Sequence, residues 1–258
     1  MLGVNSVNRT FVMQTDSGMP VENSILKDLF SSYETQLRLQ GDILQEVSMA
    51  YFSDNIHKFI DAIPVGNLEF IALWLKENYK KDMTPIEVPE CLRCEEFLLR
   101  KYNIIKKSDF SEPGYYFVKN ASHLKQGSFM GTIITPDDIC MDDTNDLFVL
   151  SEEFPIKSEW RVYVINDRFF NITNYDGDSS LFPDMSKIRK MILKYSIKDP
   201  NRPKSYTMDV MVGPKNGESE NTRTAILEVH PFVSVGLYTS LWDLRLLDAY
   251  QQGIEWYK

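Results

Sequence analysis

The clearest alternation of hydrophobic and polar residues lies near the C-terminal end of the chain. Apolar side chains recur at every second position in residues 206–212 and again in residues 224–230. Residues 213–221 (GPKNGESEN) between them have the composition of a turn. The pattern therefore predicts a β-hairpin, and a symmetric turn would place Asp209 opposite Glu228.

The two faces of this hairpin are expected to differ sharply in polarity. One face is predicted to be wholly apolar: Met208, Val210, Val212, Ala225, Leu227 and Val229. The other carries Asp209 beside Glu228, with Thr207 opposite His230 just beyond. Opposed carboxylates repel each other unless a cation lies between them. Carboxylate oxygens suit Mg²⁺, which usually keeps waters and substrate phosphates as its other ligands. Two solvated acids on an exposed sheet face are the alternative.

Strand and helix patterns alternate in the first third of the chain. Strands are predicted at residues 9–14 and 61–65, and helices at residues 23–39 and directly after Asn67, which has the chemistry of an N-cap. Residues 46–52 fit either a strand or a helix end. This alternation predicts a small α/β layer over residues 1–90, and the two prolines in residues 82–91 mark its boundary.

The remaining two thirds show mostly strand patterns. Strands are predicted at residues 114–120, 132–135, 146–154, 159–165 and 168–174, and helices at residues 92–102, 184–195 and 241–257. The strands on either side of Asn166 and Asp167 should form a hairpin, because this pair accepts left-handed dihedral angles. The last helix could pack back on the sheet.

Three charged residues fall on strand faces where a simple two-layer sheet would be apolar or mixed. Lys119 shares a face with Phe117, and Glu159 shares one with Arg161 while Trp160 faces the other way. A surface lysine and a surface ion pair are the ordinary interpretations. A functional site is the other.

Composition excludes several classes of function. The 258 residues carry a net charge of -9, which argues against a nonspecific nucleic-acid binder. No apolar run approaches the roughly 20 residues that span a bilayer, and no secretory signal is recognisable, so a cytoplasmic protein is expected. Three cysteines do not suggest a disulfide framework. Cys91 and Cys94 form a C-x-x-C pair that lacks further ligands for structural zinc, and two thiols on one helix turn are the ordinary interpretation.

In their order along the chain, these pieces resemble the ATP-grasp superfamily of ATP-dependent carboxylate–amine ligases, in particular short bacterial and phage members. The resemblance covers about residues 92–230. It implies an α+β fold in which two subdomains grip ATP, a smaller lid-like one over residues 91–150 and a larger one with the metal site over residues 151–258. A small α/β, Rossmann-like domain over residues 1–90 would precede them.

The resemblance implies a set of nucleotide-binding residues. Lys119 is similar to the strand lysine that contacts ATP, and Arg93 falls near an earlier phosphate-binding lysine of the family. Glu159 is similar to the acid that binds the ribose hydroxyls. The hinge that holds adenine would comprise Glu152, Glu153 and Phe154.

It also implies the catalytic and metal-binding residues. Arg161 and Lys119 would steady the transferred phosphate. Asp209 and Glu228 are similar to the magnesium carboxylates, and His230 stands where the family usually has asparagine, as a third candidate ligand.

The implied activity is ATP- and Mg²⁺-dependent ligation. A small-molecule or peptide carboxylate would become an acylphosphate that an amine attacks, with release of ADP and phosphate. A phosphotransferase and a nucleotide-binding regulatory protein with the same site remain open. The sequence identifies neither substrate, nor the oligomeric state, for which a homodimer is one option.

Overall fold

The computed structural model describes residues 8–15, 31–124, 128–139, 146–214, 222–234, 236, 238 and 243–258. They belong to two compact units, one drawn from Met1–Met83 and Phe232–Lys258 and the other from Thr84–Pro231. No helix in these ranges is long and apolar enough to cross a membrane.

The strands, in chain order, are β1 (Thr10–Gln14), β2 (Ile43–Val47), β3 (Ile63–Val65), β4 (Tyr102–Lys106), β5 (Gly114–Asn120), β6 (Ser128–Ile133), β7 (Leu147–Ser151), β8 (Ser158–Ile165), β9 (Arg168–Gly177), β10 (Tyr206–Pro214) and β11 (Thr222–Pro231). The helices are α1 (Glu34–Gln40), α2 (Met49–Asn55), α3 (Leu68–Tyr79), α4 (Glu95–Leu98), α5 (Met185–Lys198) and α6 (Arg245–Tyr257).

The first unit contains a three-stranded parallel sheet in the order β2-β1-β3. Phe11, Val12 and Met13 of β1 are fully buried, as expected for a parallel strand covered on both faces. The Asn67 side chain accepts a hydrogen bond from the backbone N–H of Phe70 and so caps α3. The predicted α/β layer and the N-cap are confirmed.

Two predictions in this unit are resolved in part. Residues 46–52 are shared between the end of β2 and the start of α2, which explains their mixed pattern. Of the helix predicted at residues 23–39, only the part from residue 31 is described, where α1 begins at Glu34; residues 16–30 lie outside the described residues.

The C-terminal helix α6 belongs to this first unit. The Arg9 guanidinium, at the start of β1, bonds both Asp42 and Asp248 of α6, and Lys258 lies over the ring of Trp74 in α3. The division expected from sequence grouped residues 151–258 together, which differs. An amphipathic pattern shows that a helix buries one face, but not which sheet covers it.

The second unit contains two four-stranded antiparallel sheets, in the orders β4-β7-β5-β6 and β11-β10-β8-β9. Helix α5, capped by Asp184, packs Ile188 and Met191 against Val162 and Met208 of the second sheet. The Asn166–Asp167 turn has the expected positive φ angles of 52° and 60°. The mixed α+β content is as predicted.

The helix predicted at residues 92–102 is wrong over most of its length. Only α4, four residues long, is helical, and it ends at Leu99, whose φ is 57°. Tyr102 begins strand β4. Cys91 and Cys94 are free thiols that flank the intervening turn and do not share one helix turn. The buried residues of a turn and a strand here imitate helical spacing.

The strand predicted at residues 132–135 is displaced. The observed strand, β6, runs from Ser128 to Ile133, and so begins within the segment expected to be a loop. Residues 125–127 of that loop lie outside the described residues.

The register of the β10–β11 hairpin agrees with the prediction on one side of Asp209. Asp209 lies opposite Glu228 and Thr207 opposite His230, as predicted. Val210, however, pairs with Ile226, so the ladder contains a β-bulge at this point. Residues 215–221 of the turn lie outside the described residues.

The bulge corrects the predicted apolar face. Leu227 is the extra residue, and it lies with Ala225 near Met211 and Phe154 and not in the main core. Ile226 takes the core position instead. A strict two-residue period assigns the wrong face to every residue beyond a bulge.

Candidate functional site

A cavity of about 400 Å³ is lined by residues from both sheets of the second unit. Its apolar lining includes Phe117, Met130, Val149, Phe154, Met211 and Leu227. A mostly apolar cleft of this size with a few polar groups is typical of small-molecule sites. The bulge that misplaced Leu227 in the sequence-based prediction is therefore one of the features that shape this cavity.

Several predicted site residues line the cavity together: Lys119, Glu152, Glu153, Phe154, Glu159 and Glu228. Asp209 and Arg161 adjoin it, because β11, β10 and β8 are neighbours in one sheet. Glu228 lies opposite Asp209, and Asp209 lies opposite Arg161. One row across three strands thus carries two acids and a base.

Lys119 points into the cavity, on the same face as Phe117, and is not a surface lysine. Its Nζ lies 2.6 Å from Oε2 of Glu228 and 2.9 Å from Oε1 of Glu87. Burial alone would lower the pKa of Lys119, but the two carboxylates outweigh it and raise that pKa. The amine is therefore held in its charged form.

Asp209, Glu228 and His230 form a compact cluster in which one ligand atom of each lies within 4.8 Å of the others. Nε2 of His230 is 2.7 Å from Oε1 of Glu228 and 3.9 Å from Oδ2 of Asp209. Burial opposes ionisation of Glu228, yet His230 and Lys119 hold its pKa well below the usual value. Burial also disfavours the charged imidazole, but Glu228 raises the pKa of His230.

The donor set of this cluster fits a hard divalent cation in part. The two carboxylates supply the oxygen ligands that Mg²⁺ prefers, whereas an imidazole nitrogen suits softer metals. The contact that His230 makes is with Glu228, which it can orient. Asp209 and Glu228 could therefore hold Mg²⁺, with His230 beside them.

Arg161 and Asp209 form a buried ion pair with two parallel hydrogen bonds. Nε donates to Oδ1 over 2.8 Å and Nη2 donates to Oδ2 over 2.7 Å. Burial would lower the pKa of Arg161, but the bonded carboxylate raises it further above its already high value. This fork geometry holds the guanidinium in one orientation.

Tyr175 links this pair to Glu159. Its hydroxyl donates to Oε2 of Glu159 over 2.6 Å and lies 3.5 Å from Oδ2 of Asp209. Burial raises the pKa of Glu159. No pattern in the sequence distinguished Tyr175, which follows a strand that was expected to end at residue 174.

Comparison with known families decides what this site belongs to. Residues 97–243 match the model of a family of ATP-grasp domains, the second family of its clade. The chain belongs to this ATP-grasp family. The resemblance to the ATP-grasp superfamily is thereby confirmed.

Solved structures support the same ATP-grasp fold. D-alanine–D-alanine ligase from Bacillus anthracis is similar with a TM-score of 0.52 at 12% identity, over 96% of this chain and 98% of that one. N5-carboxyaminoimidazole synthetase from Staphylococcus aureus has a TM-score of 0.53 at 11% identity, over 100% and 80%. Its complex with ADP has a TM-score of 0.54 at 10% identity, over 90% and 73%. No curated protein matches the chain.

The hinge of this ATP-grasp domain differs in detail from the expectation. Oε2 of Glu152 accepts a hydrogen bond from the backbone N–H of Lys101 over 2.9 Å, so its carboxylate is engaged with the start of β4. Glu153 is exposed and Phe154 is buried. All three nevertheless line the cavity.

Arg93 is not among the residues that line the cavity; Arg100 is. Nε of Arg93 donates to the carbonyl of Val88. The Arg100 guanidinium donates to Oγ of Ser151 and to the carbonyl of Ile226, and it makes no ion pair with a carboxylate in the described part of the chain. Burial lowers the pKa of Arg100 to about 10.

Arg100 and Glu87 are the cavity residues that sequence reasoning missed. Arg100 lay hidden in the stretch interpreted as a helix, and Glu87 lay in the proline-containing boundary segment. Glu87 is 4% exposed and has a φ of 56°, and burial raises its pKa. Recognition of β4 as a strand would have drawn attention to Arg100.

Proposed function

We propose that this chain is an ATP- and Mg²⁺-dependent ligase that joins a carboxylate to an amine and releases ADP and phosphate. One observation carries the proposal: Lys119 and Arg100 line the same cavity as Glu228, and Asp209 and His230 lie within 4.8 Å of ligand atoms of Glu228. Fixed cations beside paired carboxylates suit a nucleotide polyphosphate and its metal ion.

The nucleotide occupies this cavity in the proposed complex. Adenine lies against apolar residues such as Phe154 and Leu227, and the ribose hydroxyls donate to Glu159. Arg100 has no carboxylate partner among the described residues, so its charge is available to the phosphates. Arg93 remains a second candidate for phosphate contact outside the cavity.

Asp209 and Glu228 hold the magnesium ion, with His230 orienting Glu228 or serving as a further ligand. When bound, Mg²⁺ neutralises charge on the phosphates as one of them is transferred. The contacts that support this assignment are the short distance from His230 to Glu228 and the cross-strand pairing of Glu228 with Asp209.

The residues of the chain then act by positioning and by charge. Lys119 and Arg161 stabilise the equatorial oxygens of the γ-phosphoryl group as it passes to an oxygen of the substrate carboxylate. The resulting acylphosphate is attacked at its carbonyl carbon by the amine, and inorganic phosphate leaves. Lys119 changes partners on nucleotide binding, from Glu87 and Glu228 to phosphate oxygens.

The acid and the amine are small molecules or peptides in this proposal. The parallel sheet of the first unit corresponds to the Rossmann-like domain that precedes the grasp in related enzymes. Its contribution is to substrate selection.

The decisive experiment measures ADP release from ATP and Mg²⁺ over a panel of amino acids and short peptides, with mass spectrometry of the products. We expect ADP release that requires both a carboxylate and an amine, with an amide product. ADP release with a hydroxyl compound alone would identify a phosphotransferase. Tight ADP binding without turnover on any pair would favour a nucleotide-binding regulatory protein.

The Arg161→Lys variant tests the mechanism within that assay. It keeps a charge next to Asp209 but loses the two-pronged geometry. We expect the turnover rate constant to fall by about 10²-fold, as for other transition-state donors, while ADP affinity changes much less. Equal losses in the rate constant and in ADP affinity would remove Arg161 from the phosphoryl-transfer step.

A further inference from the structure

A second β-bulge lies next to the site, in the β8–β9 ladder. Arg161 lies opposite Thr173 and Trp160 opposite Asn174, but Glu159 lies opposite Asp176. Tyr175 is therefore the extra residue of this bulge. Bulges often turn a side chain toward an active site.

The bulge places the Tyr175 side chain between Glu159 and Arg161. The hydroxyl donates to Oε2 of Glu159 over 2.6 Å, and the Arg161 guanidinium carbon lies 5.3 Å from the centre of the ring. The same hydroxyl lies 3.5 Å from Oδ2 of Asp209. One side chain thus touches a cavity-lining acid and both members of the buried ion pair.

The bond from Tyr175 divides the work of the Glu159 carboxylate between its two oxygens. Oε2 is occupied by the phenol, and Oε1 accepts no hydrogen bond from any residue that the structure describes. Because Glu159 lines the cavity, Oε1 remains available to a hydroxyl group of a ligand there. An ionised carboxylate accepts hydrogen bonds only, so a ligand hydroxyl must be the donor.

We propose that Tyr175 is a positioning residue that holds Glu159 in the orientation that selects a ribonucleotide over a 2′-deoxyribonucleotide. The proposal rests on the proposed function, which assigns the ribose contact to Glu159. It adds the residue that makes this contact selective. Packing of the same ring on Arg161 couples the ribose end of the site to the phosphate end.

The test compares binding of ADP and 2′-deoxy-ADP, each with Mg²⁺, by isothermal titration calorimetry on the whole chain. For the unmodified protein we expect ADP to bind about tenfold more tightly, the worth of one hydrogen bond to a charged group. In Tyr175→Phe this ratio should fall to about twofold or less, chiefly through weaker ADP binding. Neither measurement requires knowledge of the acid or the amine.

Tyr206→Phe is the matched control. Tyr206 is also a buried tyrosine of this sheet, but its side chain packs in the core on the other face, and its hydroxyl has no hydrogen-bond partner among the described residues. The ADP to 2′-deoxy-ADP ratio should be unchanged in this variant. Thermal melting of both variants checks that they fold.

Glu159→Gln separates the two levels of the argument. If Glu159→Gln keeps the full ratio, the ribose contact in the proposed function is wrong, and the role assigned to Tyr175 falls with it. If Glu159→Gln loses the ratio but Tyr175→Phe keeps it, only the Tyr175 inference is overturned. Equal weakening of both nucleotides in Tyr175→Phe would also overturn it, because a merely structural role predicts that result.

Discussion

Each of the two units contains a largely buried arginine–aspartate pair, and the two pairs have almost the same geometry. In the first unit, Nη2 of Arg9 lies 2.6 Å from Oδ2 of Asp42. In the second, Nη2 of Arg161 lies 2.7 Å from Oδ2 of Asp209. Both aspartate side chains are 1% exposed. The pairs differ chiefly in what surrounds them.

The neighbours show which pair holds the fold and which serves a site. Arg9 joins segments that are far apart in the chain: it lies just before β1, Asp42 lies just before β2, and its second partner Asp248 lies in α6. Arg161 and Asp209 lie on adjacent strands that backbone hydrogen bonds already join. Their ion pair is not needed to connect those strands.

The charge surrounding each pair leads to the same conclusion. Around Arg9, one cation meets two carboxylates and no further ionisable group is bonded among the described residues. Around Asp209, His230, Glu228 and Tyr175 all lie close, and a cavity opens beside them. Charges concentrated beyond what the fold requires mark a functional site.

Asp209→Asn compared with Asp42→Asn is the strongest way to break this comparison. Each change leaves a largely buried arginine without its buried carboxylate, so each should lower the free energy of unfolding by about 3–5 kcal/mol. Only Asp209→Asn should lower Mg²⁺-dependent ADP formation, by about 10²-fold or more, because only it removes a metal ligand. Urea denaturation and an ADP assay measure the two effects. An equal loss of activity in folded Asp42→Asn would refute the distinction.

Arg100→Gln extends the comparison to a buried arginine that has no carboxylate partner in the described part of the chain. We expect about tenfold weaker ADP binding, because a charge-assisted contact to phosphate is lost. The free energy of unfolding should stay equal or rise, since burial already disfavours the Arg100 cation and lowers its pKa to about 10.

Arg93→Gln is the control for that change, because Arg93 does not line the cavity. It should alter ADP affinity by less than about threefold. A larger loss in Arg93→Gln than in Arg100→Gln would restore Arg93 as the phosphate-binding arginine. Calorimetry gives the affinities, and urea denaturation gives the stabilities.

His230→Asn sharpens the contrast through pH. The raised pKa of His230 contributes stability below 6.5 that is lost as pH rises through the folded-state pKa. The depressed pKa of Glu228 contributes stability above 4.5 that is lost as pH falls. Both contributions are present between these values. His230→Asn should therefore cost about 1–3 kcal/mol near about pH 5.5 and clearly less near about pH 9.

His57→Asn, at an exposed histidine of the first unit, provides the reference for this pH series. It should change the free energy of unfolding by no more than about 0.5 kcal/mol at either pH. Urea denaturation followed by circular dichroism at both pH values measures the two variants. A His230→Asn cost that is the same at both pH values would show that the imidazole is not charged beside Glu228.

The sequence by itself determined the strands that carry the site and the faces that several side chains occupy. The two-residue period located β8, β10 and β11 and put Lys119 with Phe117 and Asp209 opposite Glu228. These features follow from local backbone geometry, in which side chains alternate and a short turn fixes the register. The ATP-grasp family was recognisable because its motifs follow this local order.

Tertiary structure alone decided which residues from distant segments meet. It brought Glu87 and Arg100 into the cavity, assigned α6 to the first unit, and introduced the bulges that place Leu227 and Tyr175. A bulge adds one residue to one strand without altering the composition of either, so no local period reveals it. Contacts between segments far apart in the chain depend on how whole sheets pack, which no single stretch of sequence encodes.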